Sequence, residues 1–157
     1  MTSSSDGDGR SPATENPVLA RIEAQLRKGN YLRGDDRPLP RILEEDAAEV
    51  SRLQMDLEEI TSLMKRFYDE GRKALGDPVK IDDTFEVTVR EDRGILACPF
   101  RDHFPAPKAI ITAVNLKTGK ILRFTVLGWH LIHAHGFFQG KESPFRIEPS
   151  DLKDFFE

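Results

Sequence analysis

Thiols, imidazoles and long apolar runs are all scarce in this chain. Its 157 residues include one cysteine, one tryptophan, two tyrosines and four histidines. A single cysteine cannot close an internal disulfide, so a secreted, disulfide-stapled scaffold is excluded. No apolar run approaches the roughly 18 residues of a membrane-spanning helix. The stretch from Met1 to Asn16 is mostly Ser, Asp, Gly, Pro and Thr. It lacks the basic start and apolar middle of a secretion signal, and a cytoplasmic protein is expected, with no membrane partner. Concentrated positive charge is missing too. Residues 1–93 carry 15 Lys+Arg against 21 Asp+Glu, and residues 94–157 carry 8 against 6, so a net −4 divides into −6 and +2. A mildly basic C-terminal part falls far short of a nucleic-acid footprint.

The composition, 38% apolar and 32% charged, suits one soluble domain with one hydrophobic core. Residues 1–15 are poor in apolar side chains and read as a disordered tail. Residues 16–157 read as a single α+β domain, helical over about 16–76 and sheet-forming over about 79–157. Asn16-Pro17 is a helix start, with Val18, Ile22 and Leu26 on one face and Gly29-Asn30 as the stop. Tyr31–Pro40 reads as a loop. A second helix is expected over Ile42–Leu53 and a third over Asp56–Leu75. The third is opened by Asp56 and Glu59 at capping-box spacing and striped by Leu57, Ile60, Leu63, Met64 and Phe67.

From Val79 the period falls to two. Phe85, Val87 and Val89 alternate with polar residues as in a half-buried strand. Glu91-Asp92-Arg93-Gly94 reads as a turn and Ile95–Cys98 as the returning strand. Ala109–Val114 and Ile121–Leu127 flank Asn115–Lys120 as a second hairpin. Four antiparallel strands follow, then a short helix over Trp129–His135 closed by Gly136. An edge strand is expected at Phe145–Ile147, and a final turn capped by Ser150.

Cys98 and all four histidines fall within the 38 residues from Cys98 to His135. Cys and His are the side chains that most often carry metal binding and proton transfer near neutral pH. A tetrahedral zinc site needs four N or S ligands and is usually built as two pairs from separate segments. The expected set is Cys98, His103, His130 and His135, with His133 as a substitute. His130 and His133 share a helical face. His135 lies about 140° around the helix from His130, and joins only if the helix ends beside it, as Gly136 suggests. Three readings stay open: a structural zinc site, a Cys98 nucleophile with His130 or His135 as base, and a buried cysteine among ordinary histidines.

Gly136 to Ser143 only superficially suggests a phosphate loop. Three residues rather than four separate the glycines, and Glu142 stands where Ser or Thr should follow the lysine. Phe137, Phe138 and Phe145 with Lys141 and Arg146 suggest stacking and charge for single-stranded nucleic acid, against which Glu142, Glu148 and Asp151 count.

The stretch His130-Leu-Ile-His-Ala-His-Gly-Phe-Phe-Gln-Gly-Lys-Glu-Ser-Pro-Phe-Arg146, with Cys98-Pro99 upstream, resembles a segment of a family of small uncharacterised bacterial proteins. The resemblance runs from about Pro17 to the C-terminus. It implies a bacterial cytosolic protein and brings no activity with it. The combined expectation is a non-enzymatic interaction module acting on an unknown protein partner or on itself, with zinc as its one cofactor. The alternatives are a Cys/His-dependent hydrolase and a weak single-stranded nucleic-acid binder using Lys141, Arg146 and Phe138.

Overall fold

The computed structural model describes residues 16–157, so the tail expected over residues 1–15 lies outside the described part. Its helices are α1 (Pro17–Lys28), α2 (Leu39–Arg52), α3 (Leu57–Gly71), α4 (Val126–His135) and α5 (Pro149–Phe156). Its strands are β1 (Val79–Ile81), β2 (Phe85–Ala97), β3 (Pro105–Asn115) and β4 (Ile121–Thr125). The strands form one antiparallel sheet in chain order. The architecture is α+β, with helices at both ends of the sheet sequence. Among the described residues no helix is long and apolar enough to cross a membrane.

The helix starts follow from local chemistry. Asn16 Oδ1 accepts from the N–H groups of Val18 and Leu19, and Asp56 accepts from Glu59 N–H, so each cap satisfies donors that the first turn leaves free. Ile22 and Leu26 are buried, whereas Val18 is 56% exposed. Helix α2 starts three residues before the expected Ile42, because Pro38-Leu39-Pro40 supplies a fixed φ in a first turn that needs no N–H. Helix α3 ends at Gly71 rather than Leu75. A Cβ there would stand 2.6 Å from Val89 Cγ2, so the glycine lets α3 close on β2. Met64 and Phe67 of α3 are fully buried. Phe67 meets Phe85 of β2, which stacks on Phe155 of α5 with centroids 5.7 Å apart. That aromatic cluster holds α3 and the C-terminal helix α5 on the sheet.

The strand expectations need three corrections. Glu91–Gly94 is a bulge within β2, not a turn. Glu91 pairs with Ala109 and Ile95 with Pro107, so three residues of β2 face one of β3, and Gly94 takes a φ of 108°. Ile95–Ala97 therefore continues β2, Cys98 lies just past its end, and the returning strand is β3. Phe145–Ile147 is not a strand. Chain reversal at Thr125 comes sooner than expected, and its side chain caps α4 by accepting from Gly128 N–H. α4 is buried from Val126 to Ile132, against the sheet and α3. Trp129 Nε1–H donates to Thr61 O, which fixes α4 on α3.

Candidate metal centre

Two short segments build the site. The first is the loop that leaves β2, Cys98-Pro99-Phe100-Arg101-Asp102-His103-Phe104. Arg101 and His103 both take left-handed backbone, with φ of 63° and 65°. Arg101 N–H closes a turn on Cys98 O. The second segment is the last turn of α4. Gly136, at φ 61°, ends the helix, with its own N–H on Ile132 O and that of Phe137 on Leu131 O. This left-handed cap stops the helix at His135.

Cys98, Asp102, His130 and His135 converge there. One ligand atom from each lies within 4.8 Å of all the others, and the group could hold a metal ion. Asp102 Oδ2 is 2.6 Å from His130 Nε2 and 2.7 Å from His135 Nε2. Cys98 Sγ is 3.6 Å from His135 Nε2. Cys98 is 4% exposed, while the side chains of His130, His135 and Asp102 are 8%, 19% and 28% exposed. The centre thus opens to solvent on its carboxylate side.

Three of the four ligands are held from behind. Asp102 Oδ1 accepts from Phe104 N–H at 3.0 Å, which leaves Oδ2 to face the histidines. Phe104 stacks on His130 with centroids 3.9 Å apart and planes 6° from parallel, and Phe100 stacks on His135 at 4.1 Å and 8°. The loop therefore alternates. Residues 98 and 102 supply ligand atoms, and residues 100 and 104 clamp the two imidazoles. Such outer support sets ring orientation at a metal.

The electrostatics favour a cation. Burial, the largest influence, pushes the Cys98 thiol up to about 11. The N–H groups of Phe100 and Asp102 oppose this, and the Asp102 carboxylate adds to it. Burial would raise Asp102 as well. Hydrogen bonds from Phe104 N–H, His130, His135 and Cys98 together outweigh it and hold the carboxyl well below the usual carboxylate range. The carboxylate is therefore charged, and the protons on the surrounding N and S atoms are the ones a metal would displace.

The structure brings together three of the four expected ligands, Cys98, His130 and His135. The fourth is Asp102, one residue before the expected His103. Left-handed backbone at His103 leaves its side chain exposed, outside the group. His133 does not substitute. Its Nδ1 is 3.1 Å from Thr61 Oγ1 and its ring stacks on Trp129. The three residues suggested for nucleic acid do not share an exposed surface. Phe138 is 2% exposed, and Arg146 is engaged by Asp46 and Glu148, so only Lys141 faces solvent. No family model, curated protein or solved structure matches the chain, so the geometry carries the functional argument.

Proposed function

We propose that this chain is a zinc-stabilised interaction module, in which one zinc ion on Cys98, Asp102, His130 and His135 pins the β2–β3 loop to the end of α4. The observation that carries this reading is the convergence of four ligand atoms from two segments within 4.8 Å. Ligands around a tetrahedral zinc with bonds of about 2.0–2.3 Å stand roughly 3.3–3.8 Å apart. The Cys98–His135 separation already has that value. The carboxylate would retreat by about 1 Å from the imidazoles, and any pair near the 4.8 Å limit would close by a similar amount. A mixed S, N and O set suits zinc rather than calcium or magnesium, which take oxygen ligands. Thiolate and carboxylate together neutralise a divalent ion, which eases its partial burial.

Four protein ligands fill a tetrahedron, as structural sites do, whereas catalytic zinc keeps a position open. The cavities of about 360 and 160 Å³ are lined by none of the four ligands. A Cys/His-dependent hydrolase finds less support, because a thiol pushed up to about 11 is a poor nucleophile at neutral pH. The resemblance noted for His130–Arg146 agrees with a bacterial cytosolic protein of this kind.

The test is metal analysis of tag-free protein by mass spectrometry, with melting curves before and after chelator. One zinc per chain is expected, lost in Cys98→Ser and kept in His103→Ala. Protein that takes up no zinc on reconstitution, with no change in melting, would overturn the reading.

A further inference from the structure

The cavity of about 360 Å³ lies between the turn after α1, the bulge of β2, the facing part of β3, the first turn of α4 and the segment Gln139–Phe145. Its walls are mainly apolar, with Leu96, Pro107, Ile110, Leu127 and Phe145 among them. Leu96 is 38% and Phe145 49% exposed, so these two large apolar side chains are kept out of the core beside the cavity. The size and lining are those of a small-molecule site.

The polar groups in it are unevenly satisfied. Gln139 is 5% exposed. One end of its amide accepts from Ser143 Oγ, and the other, Nε2, has no acceptor among the described residues. A buried amide donor without a partner is uncommon in folded chains. Gly128 also lines the cavity, and a Cβ on it would stand 3.9 Å from that Nε2. The glycine leaves the space beside the amide open. Gln139 is held in place at some conformational cost. Its φ is 75°, and its carbonyl accepts from Arg146 Nη1 at 2.7 Å.

Two further donors line the same cavity. The Tyr31 hydroxyl makes no hydrogen bond among the described residues. Lys108 forms no ion pair among the described residues, while Asp92, the one acid on the lining, is engaged by Arg90 at 3.5 Å. Gln139, Tyr31 and Lys108 thus bring three hydrogen-bond donors to the lining of an apolar cavity, whose one carboxylate, Asp92, is an exposed partner of Arg90. The ligand they lack is an acceptor with several lone pairs and an apolar body.

We propose that this cavity binds a small carboxylic acid with an aromatic or aliphatic body, its carboxylate received by Gln139 Nε2, Tyr31 Oη and Lys108 Nζ. The body lies against Leu96, Ile110, Leu127 and Phe145. None of the four metal ligands lines the cavity, although Tyr31, which does, is close enough to Cys98 to feel its charge.

The test is a titration of the full-length, ¹⁵N-labelled protein with phenylacetate, 4-phenylbutyrate and octanoate, read by shifts of the Gln139 side-chain amide and of the Gly128 amide. Phenylacetamide, acetate and inorganic phosphate serve as comparisons. The expected result is saturable binding of the three acids. Affinity for phenylacetamide should be at least about tenfold weaker, and acetate and phosphate should give little shift. Gln139→Glu, which replaces the donor by an acceptor of the same shape, should weaken acid binding at least about tenfold, and the surface change Lys108→Met several-fold. If Gln139→Glu fails to fold, Lys108→Met decides. Absence of shifts at these amides up to about 10 mM acid overturns the proposal. So does phenylacetamide binding as well as phenylacetate, or phosphate binding better than either.

Discussion

Arg146 and Asp102 both sit among polar groups in the C-terminal half of the chain, and their surroundings are complete to different degrees. The Arg146 guanidinium has five N–H donors. Asp46 takes two of its bonds, Glu148 two and Gln139 O one, at 2.7 to 3.1 Å. Nothing there is left to bind. At Asp102 one carboxylate oxygen faces two imidazole nitrogens, with a thiol 3.6 Å from one of them. Every atom that meets there can give a lone pair to a single point. A polar network closed on itself fixes architecture, and one whose lone pairs converge is a site. Stability measurements can separate the two centres.

The largest effect should come from the metal. Structural zinc is worth on the order of 10 kcal/mol of apparent binding free energy in small domains. Chelation, Cys98→Ser or His130→Ala should therefore lower the melting temperature by many degrees and loosen the 98–104 loop, with faster amide exchange there. The aromatic cluster of Phe67, Phe85 and Phe155 should stay protected. Uniform exchange across the whole chain after zinc removal would mean that the two regions are not separable.

Next is the buried pair. Asp46→Asn leaves the Arg146 guanidinium, whose side chain is 8% exposed, with one charge partner fewer. Because Glu148 stays on the guanidinium, the cost should fall at or below the lower end of the roughly 3–5 kcal/mol for breaking a buried pair. Urea unfolding of the zinc-loaded protein should show it, with zinc stoichiometry unchanged. Loss of zinc in this variant would contradict the division drawn between the two centres.

A smaller effect separates the metal-free and loaded states by pH. In the metal-free fold the Cys98 thiol titrates at about 11 instead of its ordinary 9.0, so folding favours the neutral thiol. That contribution is fully present below pH 9 and is lost as pH rises from 9 to 11, a swing of order 2–3 kcal/mol. Asp102 has the opposite sign. Its depressed value contributes stability above the ordinary carboxylate range and loses it as pH falls through that range. Metal-free protein should thus melt lower at both extremes, and Cys98→Ser should shrink the alkaline fall alone, leaving the part that Tyr31 and Tyr68, also raised by burial, contribute. Zinc should remove the Cys98 share of that fall in the parent chain, because a bound thiolate has no proton to lose. An alkaline limb as large in Cys98→Ser as in the parent chain would assign it to the tyrosines instead.

How far this was legible in the sequence depends on whether a residue's role has a period or a rare chemistry. The α+β order, the caps at Asn16 and Asp56 and the stop at Gly136 are local signals, and they were readable. The second half of β2 was not. From Arg90 to Ala97 every residue is exposed, so there is no alternation to read, and Gly94 marks a bulge as readily as a turn. Cys98, His130 and His135 stood out because thiols and imidazoles are few. Asp102 did not, being one acid among 27 Asp and Glu. A trace of it was present. The pattern Cys-x-Phe-x-Asp-x-Phe places ligands and aromatic clamps on alternate residues, and left-handed backbone at Arg101 and His103 completes it. Gln139 carried no signal at all, since its partnerless amide exists only once Gly128 and Ser143 are packed around it.

The smallest expected effects test that alternation. His103→Ala removes an exposed imidazole next to a ligand, and should leave both zinc content and melting unchanged within error. His133→Ala removes a ring stacked on Trp129 and bonded to Thr61 Oγ1, and should cost about 1 kcal/mol without loss of zinc. Phe100→Leu keeps apolar bulk but takes the parallel ring from His135. It should weaken zinc affinity by about tenfold, the lower end for loss of an outer-shell partner, while melting of the loaded protein changes little. Competition with a chromogenic chelator measures this directly. Equal zinc affinity in Phe100→Leu and the parent chain would reduce the aromatic clamps to packing, and leave Asp102 Oδ1 on Phe104 N–H as the outer support of the centre.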